Sequence, residues 1–248
     1  MSLLTGQVAL VTGAALNIGQ AIVQGLAREG ATVVIHANRS IEAARDLAGE
    51  IEALGGKAMA LAGDLTVETE VEALFAAVDE HFGRLDLLVN NASVRGQQPA
   101  SEMTLDAWRA VQAVIVDGTF LCCREAYPLL RRSRGRIVNL GGVAGHRGAV
   151  GRAHAVTAKA AVAGLTKALA REWAADFIRV NCVVPGMVET VRGASAGGLP
   201  GDLRIEDIPL GRKATPEEVA ACVLALAGPA GAYVTGQAWH VNGGLLMP

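Results

Sequence analysis

The sequence predicts an α/β protein: one doubly wound, Rossmann-type domain with a mostly parallel, seven-stranded sheet and helices on both faces. Three observations predict it. Short apolar runs bounded by turn residues alternate from end to end with longer amphipathic segments. Most of those runs are apolar at consecutive positions, as strands covered on both faces require. A chain of 248 residues, 51% of them hydrophobic, also has enough aliphatic material for one large core.

The strands read, in order, QVALVT (7–12), ATVVIH (31–36), KAMALA (57–62), LDLLVN (85–90), GRIVNL (135–140), IRVNCV (178–183) and QAWHV (237–241). Between the second and third, IEAARDLAGEIEAL (41–54) places apolar residues at 41, 44, 47, 51 and 54. After the third, VETEVEALFAAVDEHF (67–82) aligns Val71, Leu74, Phe75 and Val78. Each stripe is suited to lie on a sheet. No linker, repeat or low-complexity stretch divides the chain, so a single domain over 1–248 is expected. The rhythm breaks once, at VRGASAGGLPGDLRIEDIPL (191–210), which is Gly- and Pro-rich and long for a connection. That segment reads as a candidate substrate lid or as a surface insertion.

A formal charge of −2 advertises neither nucleic acid nor an anionic membrane, and RRSRGR (131–136) is a short Arg-rich turn of the kind usually solvated. The N-terminal MSLLTGQVALVTGAAL reads as the first strand, not a signal peptide. No apolar run approaches the roughly 20 residues of a membrane helix. Cys122, Cys123, Cys182 and Cys222 show no CxxC spacing, and a reduced, cytoplasmic protein is expected. The five histidines (36, 81, 146, 154, 240) have no ligand spacing, so no metal is expected.

The first strand runs through TGAALNIG (12–19) into a helix. Gly13 permits a tight turn and Gly19 a close helix, whose N-terminus offers N–H groups to a pyrophosphate. Asp64 follows the third strand, NNA (90–92) the fourth, and PGMVET (185–190) the sixth. Together with the tail IPLGRKATPEEVA through YVTGQAWHVNGG, this set resembles the short-chain dehydrogenase/reductase family, in pattern the 3-oxoacyl-(acyl carrier protein) reductase-like members. The resemblance covers essentially the whole chain.

It implies a nicotinamide dinucleotide held around Gly13, Asn17, Ile18, Gly19 and Ala92. Asp64 would accept from the adenine amine, and Asn90 would sit by a ribose. Lys159 would hold the nicotinamide ribose, and Pro185, Gly186 and Thr190 would meet the carboxamide. Each also has a plain structural reading, such as Asp64 as a turn residue. Two positions depart from the family pattern. Asn17 replaces a glycine, although Asn tolerates left-handed backbone better than other side chains. Ser93 replaces the last glycine of NNAG, as it does in the family's pteridine reductases. After the second strand, HANRS (36–40) offers no carboxylate for a ribose 2′-hydroxyl but presents Arg39 to a 2′-phosphate. Leu16 stands where NADP-using members often carry a basic residue. NADP is expected, with NAD as the alternative.

The family's reaction uses a tyrosine acid with a lysine four residues on, along one helix face. A serine polarises the carbonyl and an asparagine holds a relay water. In this register Gly142 takes the serine's place in NLGGVAG (139–145) and Ala155 the tyrosine's in RAHAVTAKAAVAGLTKALARE (152–172). Ile115 takes the asparagine's in VIVDGTFL (114–121), and Lys159 is retained. No shift of register recovers the set: Tyr127 lies before the fifth strand, and no serine falls between Ser133 and Ser195.

The expectation is therefore an NAD(P)-dependent oxidoreductase of a small molecule with a non-standard site. A precharged group such as an iminium would accept hydride there without prior protonation. His146 and His154 are candidate replacement acids. A rotation of about 100° per residue should turn His154 away from the Ala155 face, and it reads equally as a surface or interface histidine. The alternative is a catalytically silent cofactor-binding or scaffold subunit beside an active paralogue. The resemblance also implies a homotetramer or dimer paired through helices within 104–131 and 151–175, or a hetero-oligomer with that paralogue. Halohydrin dehalogenases share the scaffold without nicotinamide, but they keep the serine and tyrosine, the reverse of this pattern.

Overall fold

A computed structural model describes residues 2–191 and 204–248. Its seven strands are β1 (Val8–Val11), β2 (Thr32–Ala37), β3 (Lys57–Ala62), β4 (Leu87–Asn90), β5 (Arg136–Leu140), β6 (Arg179–Pro185) and β7 (Ala238–Val241). Each coincides with a predicted run to within two residues at either end. They form one all-parallel sheet in the order β3-β2-β1-β4-β5-β6-β7. The direction of winding reverses between β1 and β4, and beyond the carboxyl ends of those strands a doubly wound sheet leaves a ligand crevice.

The helices are α1 (Asn17–Arg28), α2 (Ile41–Ala53), α3 (Glu68–Phe82), α4 (Leu105–Gln112), α5 (Gly118–Ser133), α6 (Ala144–Arg147), α7 (Ala153–Glu172) and α8 (Pro216–Ala227). Two-residue periodicity sorts the strand side chains between two cores. Val11, Val33, Ile35 and Val89 pack with Ile22 and Leu26 of α1, Leu47 of α2 and Val223 of α8. Leu10, Val34, Leu88 and Ile137 pack on the other face, with Val71 and Leu74 of α3, Leu130 of α5 and Leu169 of α7. Local chemistry fixes the helix ends. Thr215 and Glu218 form a reciprocal capping box around Pro216 at the start of α8.

One member of the predicted stripe on α2 falls outside the core. Ala44, Leu47 and Ile51 are buried, but Leu54 is 88% exposed. The helix ends at Ala53 and Gly55 takes φ +83°, so Leu54 is the capping residue and its face is no longer the helix's. The stripe of α3 is buried as expected at Val71, Leu74, Phe75 and Val78. Of the expected lid at 191–210, residues 192–203 lie outside the described residues. A 3₁₀ turn at Ile205–Asp207 leads into Ile208, which is buried against Met187 just after β6.

Candidate active site

The first turn is built by close approach. Gly13 has φ +59°, and a Cβ there would come within 2.9 Å of Ala92 Cα. A Cβ on Gly19 would meet Gly13 O at 2.6 Å and Ala14 Cα at 2.7 Å. Asn91 clamps the turn from the neighbouring strand, its Nδ2 donating to Thr12 O at 3.0 Å and Gly13 O at 2.8 Å. The backbone N–H groups of Asn91 and Ala92 both donate to Thr12 Oγ1. His36 holds the other side: Gly13 N–H donates to its Nδ1 at 3.2 Å, so Nε2 carries the proton toward Gly63 O at 3.0 Å. Burial keeps this imidazole below its ordinary range, which fits the neutral tautomer those two bonds require.

Asn17 has φ +55°, the left-handed backbone that its replacement of glycine demands. Its amide does what glycine cannot. Nδ2 donates to Val191 O at 3.1 Å, and Val191 N–H donates back to Oδ1 at 2.8 Å. The start of α1 is thereby laced to the segment after β6, across the crevice. Asn17→Gly is expected to keep the turn but release this lacing, raising the dissociation rate of a bound dinucleotide about tenfold, since two hydrogen bonds are worth about 1–3 kcal/mol. Stopped-flow displacement would measure it, and an unchanged rate would show that the lacing does not retain the ligand.

Two connected chambers follow from this frame. The first, about 610 Å³, is lined by Gly13, Asn17, Ile18, Gly19, Arg39, Asp64 and Ala92, among others. The second, about 700 Å³, is lined by Ile115, Gly142, Ala155, Lys159, Pro185 and Gly186, among others. Ile18, Asn91, Ser93, Arg95 and Thr190 border both. Every predicted cofactor residue except one therefore lines a chamber, although the sequence scatters them over 178 positions from Gly13 to Thr190.

The exception is Asn90. Its side chain is buried in the opposite direction, with Nδ2 donating to Asn139 Oδ1 at 2.9 Å and Cys123 Sγ at 3.3 Å. Asn139 passes the chain on to Thr166 Oγ1 at 2.9 Å, which donates to Val162 O. Asn90 ties β4, β5 and α7 together, and Asn91 is the residue that faces the crevice. Asp64 is a turn residue on the chamber's edge. Its Oδ1 accepts from the Thr66 N–H and hydroxyl, which hold the carboxyl below the usual range, while the residue borders the first chamber.

Ile115, Gly142 and Ala155 line the second chamber together with Lys159, and the first three bring it no polar side chain. A π-helical turn, Ala113–Asp117, separates α4 from α5 and sets Ile115 against the chamber. The Ile115 carbonyl is satisfied by Thr119 Oγ1 at 2.7 Å. A Cβ on Gly142 would stand 3.7 Å from Lys159 Cγ, with nothing closer. Lys159 Nζ donates to Leu140 O at 2.7 Å, and burial brings its ammonium down to about 8.

Neither candidate replacement acid reaches this space. His146 is exposed on α6, edge-on to His240 with ring centroids 4.7 Å apart. His154 is buried beside the loop after β4, where a Cβ on Gly96 would meet its Nε2 at 3.1 Å, while its Nδ1 accepts from Ala155 N–H. The helical rotation from Ala155 directs it there. Tyr127 is also remote, donating to Asp176 and packed on Trp173.

The sequence reading assigned no role here to Thr12, His36, Asn91, Arg95, Arg152 or Lys213. Arg95 Nη1 donates to Thr190 Oγ1 at 3.3 Å, and Lys213 reaches the second chamber from beyond the undescribed segment. With them the described residues lining that chamber include four cations (Arg95, Arg152, Lys159 and Lys213) and one carboxylate, Glu189. A cationic substrate such as the expected iminium would meet these four cations there.

The family model described as enoyl-(acyl carrier protein) reductase matches residues 13–246. The chain is 40% identical to the 3-oxoacyl-[acyl-carrier-protein] reductase of Synechocystis sp., over all of both chains. It is 39% identical to the FabG enzyme of that name from Aquifex aeolicus, over 98% of each chain. With the Vibrio cholerae enzyme of the same name it shares 36%, over 98% of this chain and 99% of the relative.

Proposed function

Because the chain belongs to the short-chain dehydrogenase/reductase family, we propose that it is an NADP(H)-dependent oxidoreductase of a small molecule, working without the family's serine and tyrosine. The observation that carries this reading is the cradle at the first turn. Gly13 and Gly19 let the turn close tightly where any Cβ would collide with Ala92 or Gly13, and the start of α1, which no side chain caps, lines the chamber that Arg39 and Asp64 also border. The absence of a carboxylate among Ala37, Asn38, Arg39 and Ser40, which line it after β2, favours a ribose carrying a 2′-phosphate.

When bound, the cofactor supplies a hydride. The protein's own contribution is positional. Asn91, Thr12 and His36 hold the first turn, Asn17 ties it to Val191, and Lys159, on the wall of the second chamber, would meet ribose hydroxyls. Gly142, Ala155 and Ile115 bring no side-chain acid of their own to the chamber they line, so a proton would come from water, from Lys159 or from the substrate. Parallel fluorescence titrations with NADPH and NADH test the reading. NADPH is expected to bind at least tenfold tighter, and Arg39→Ala should remove most of that preference. Absence of binding by either nucleotide would overturn the proposal.

A further inference from the structure

We propose that Lys159 is a nucleophile: in the protein without cofactor, its amine condenses with the carbonyl carbon of a small aldehyde or ketone in the second chamber. This goes beyond the hydride-transfer reading, which gives the same side chain to the ribose, so cofactor and carbonyl would compete for it. The argument begins with the space around the amine. Lys159, on α7, lines a cavity of about 700 Å³, a size that admits a small molecule. Ala155 stands one helical turn before it and lines the same cavity. On another side is Gly142, where even a Cβ would keep 3.7 Å from Lys159 Cγ and 4.0 Å from Cδ. Neither neighbour carries a side chain long enough to cover the amine.

The ammonium also lacks an anionic partner among the described residues. Nζ donates to Leu140 O at 2.7 Å, and no carboxylate pairs with it, although Glu189 lines the same cavity. Around it the wall is largely apolar, with Ile115, Leu140, Val143 and Met187. An ammonium that loses hydration without gaining an anion gives way to the neutral amine, and burial brings Lys159 down to about 8. Desolvation in an apolar pocket is one of the ways in which lysine amines become nucleophiles. The Leu140 carbonyl accepts from the neutral amine as well as from the ammonium, so this bond survives deprotonation and leaves the nitrogen lone pair for an electrophile.

The step balances without a redox partner. The ammonium first gives a proton to water. The nitrogen lone pair then bonds to the carbonyl carbon, and the C–O bond breaks as the oxygen leaves as water, carrying one proton from nitrogen and one from solvent. The product is a protonated imine, which hydrolysis reverses. The groups facing Lys159 are Cys182 from β6 and Arg95 from the connection after β4, with Arg152, Glu189 and Lys213 on the same chamber wall. Burial holds the Cys182 thiol up at about 11, so it stays neutral while Lys159 titrates. An unperturbed lysine ammonium titrates near 10.4, so at pH 7 an amine brought to about 8 carries on the order of 10² times more of the neutral form. That advantage holds up to about pH 8 and shrinks above it, where an ordinary amine goes on gaining and Lys159 no longer does.

The test is reductive alkylation of the purified, cofactor-free protein with propanal and sodium cyanoborohydride, which traps the imine as a stable secondary amine. The sequence has four lysines, Lys57, Lys159, Lys167 and Lys213. Peptide mass spectrometry reads each of them separately, and apart from the chain's α-amino group. At pH 7 Lys159 is expected to be alkylated at least tenfold faster than the exposed Lys57 and Lys167. Taking this as a ratio within one sample cancels the reagents' own pH dependence, and the ratio should fall about tenfold between pH 7 and pH 9. Ala155→Leu, which fills the space one turn before the amine, should cut the ratio at least tenfold, with folding checked by circular dichroism. If that variant fails to fold, the pH dependence of the unaltered protein decides the matter. A Lys159 no faster than the two exposed lysines, a ratio equal at pH 7 and pH 9, or one indifferent to Ala155→Leu in folded protein overturns the proposal. Fast alkylation of Lys159 with no NADP(H) binding would sink the oxidoreductase reading alone; NADP(H) binding with a slow Lys159 would sink only this one.

Discussion

The double substitution Gly142→Ser with Ala155→Tyr is expected to raise NADPH-dependent reduction of a 3-oxoacyl thioester by about 10²–10⁴-fold, the usual worth of a positioned general acid. The backbone is ready for both residues. A Cβ at 142 meets nothing closer than 3.7 Å, and Ala155 lies on the chamber wall one helical turn before Lys159. A tyrosine there would share a helix face with that ammonium, which favours the phenolate and so strengthens the hydroxyl as an acid. Either substitution alone should recover much less, because groups that act on one oxygen are strongly non-additive. Steady-state kinetics of the two single and one double variant would check this. A double variant that folds, binds NADPH and gains nothing would mean that the chamber has diverged beyond its missing acid.

The strands and their facing were legible because short apolar runs and glycine turns are local signals. Leu54 was not, because whether the last member of an apolar stripe is buried depends on which residue ends the helix, here the left-handed Gly55. The crevice residues were legible as a set only through a family pattern that assigns positions without directions. Asn90 shows the limit and also the missed signal. It has the same parity as Leu88, which faces the core packed against α3, α5 and α7, so its side chain had to point there and Asn91 to the other side. His154 obeyed its helical rotation for the same kind of reason. The charge of the second chamber had no linear signature at all, since Arg95, Arg152 and Lys213 come from three separate connections.

Gly19→Ala and Gly49→Ala make the same chemical change in two helices and should act with opposite sign. In α2 a Cβ on Gly49 meets nothing within 4 Å, and relief of glycine's backbone entropy should stabilise the protein by about 0.5–1 kcal/mol. In α1 the methyl group added to Gly19 would press on Gly13 O, on Ala14 Cα and, at 2.7 Å, on Asn91 Nδ2, which itself donates to Gly13 O. Two of those three atoms are backbone and the third is already fixed by two hydrogen bonds, so nothing flexible can yield. Overpacking of this kind costs about 1–3 kcal/mol, against the same entropic gain. The strain also falls on the turn proposed to receive the pyrophosphate, so NADPH affinity should drop at least tenfold in Gly19→Ala and stay unchanged in Gly49→Ala. Thermal unfolding read beside a fluorescence titration separates the two effects. Stability lost with affinity intact would place the dinucleotide away from this turn, and with it the cradle's claim to be the cofactor site.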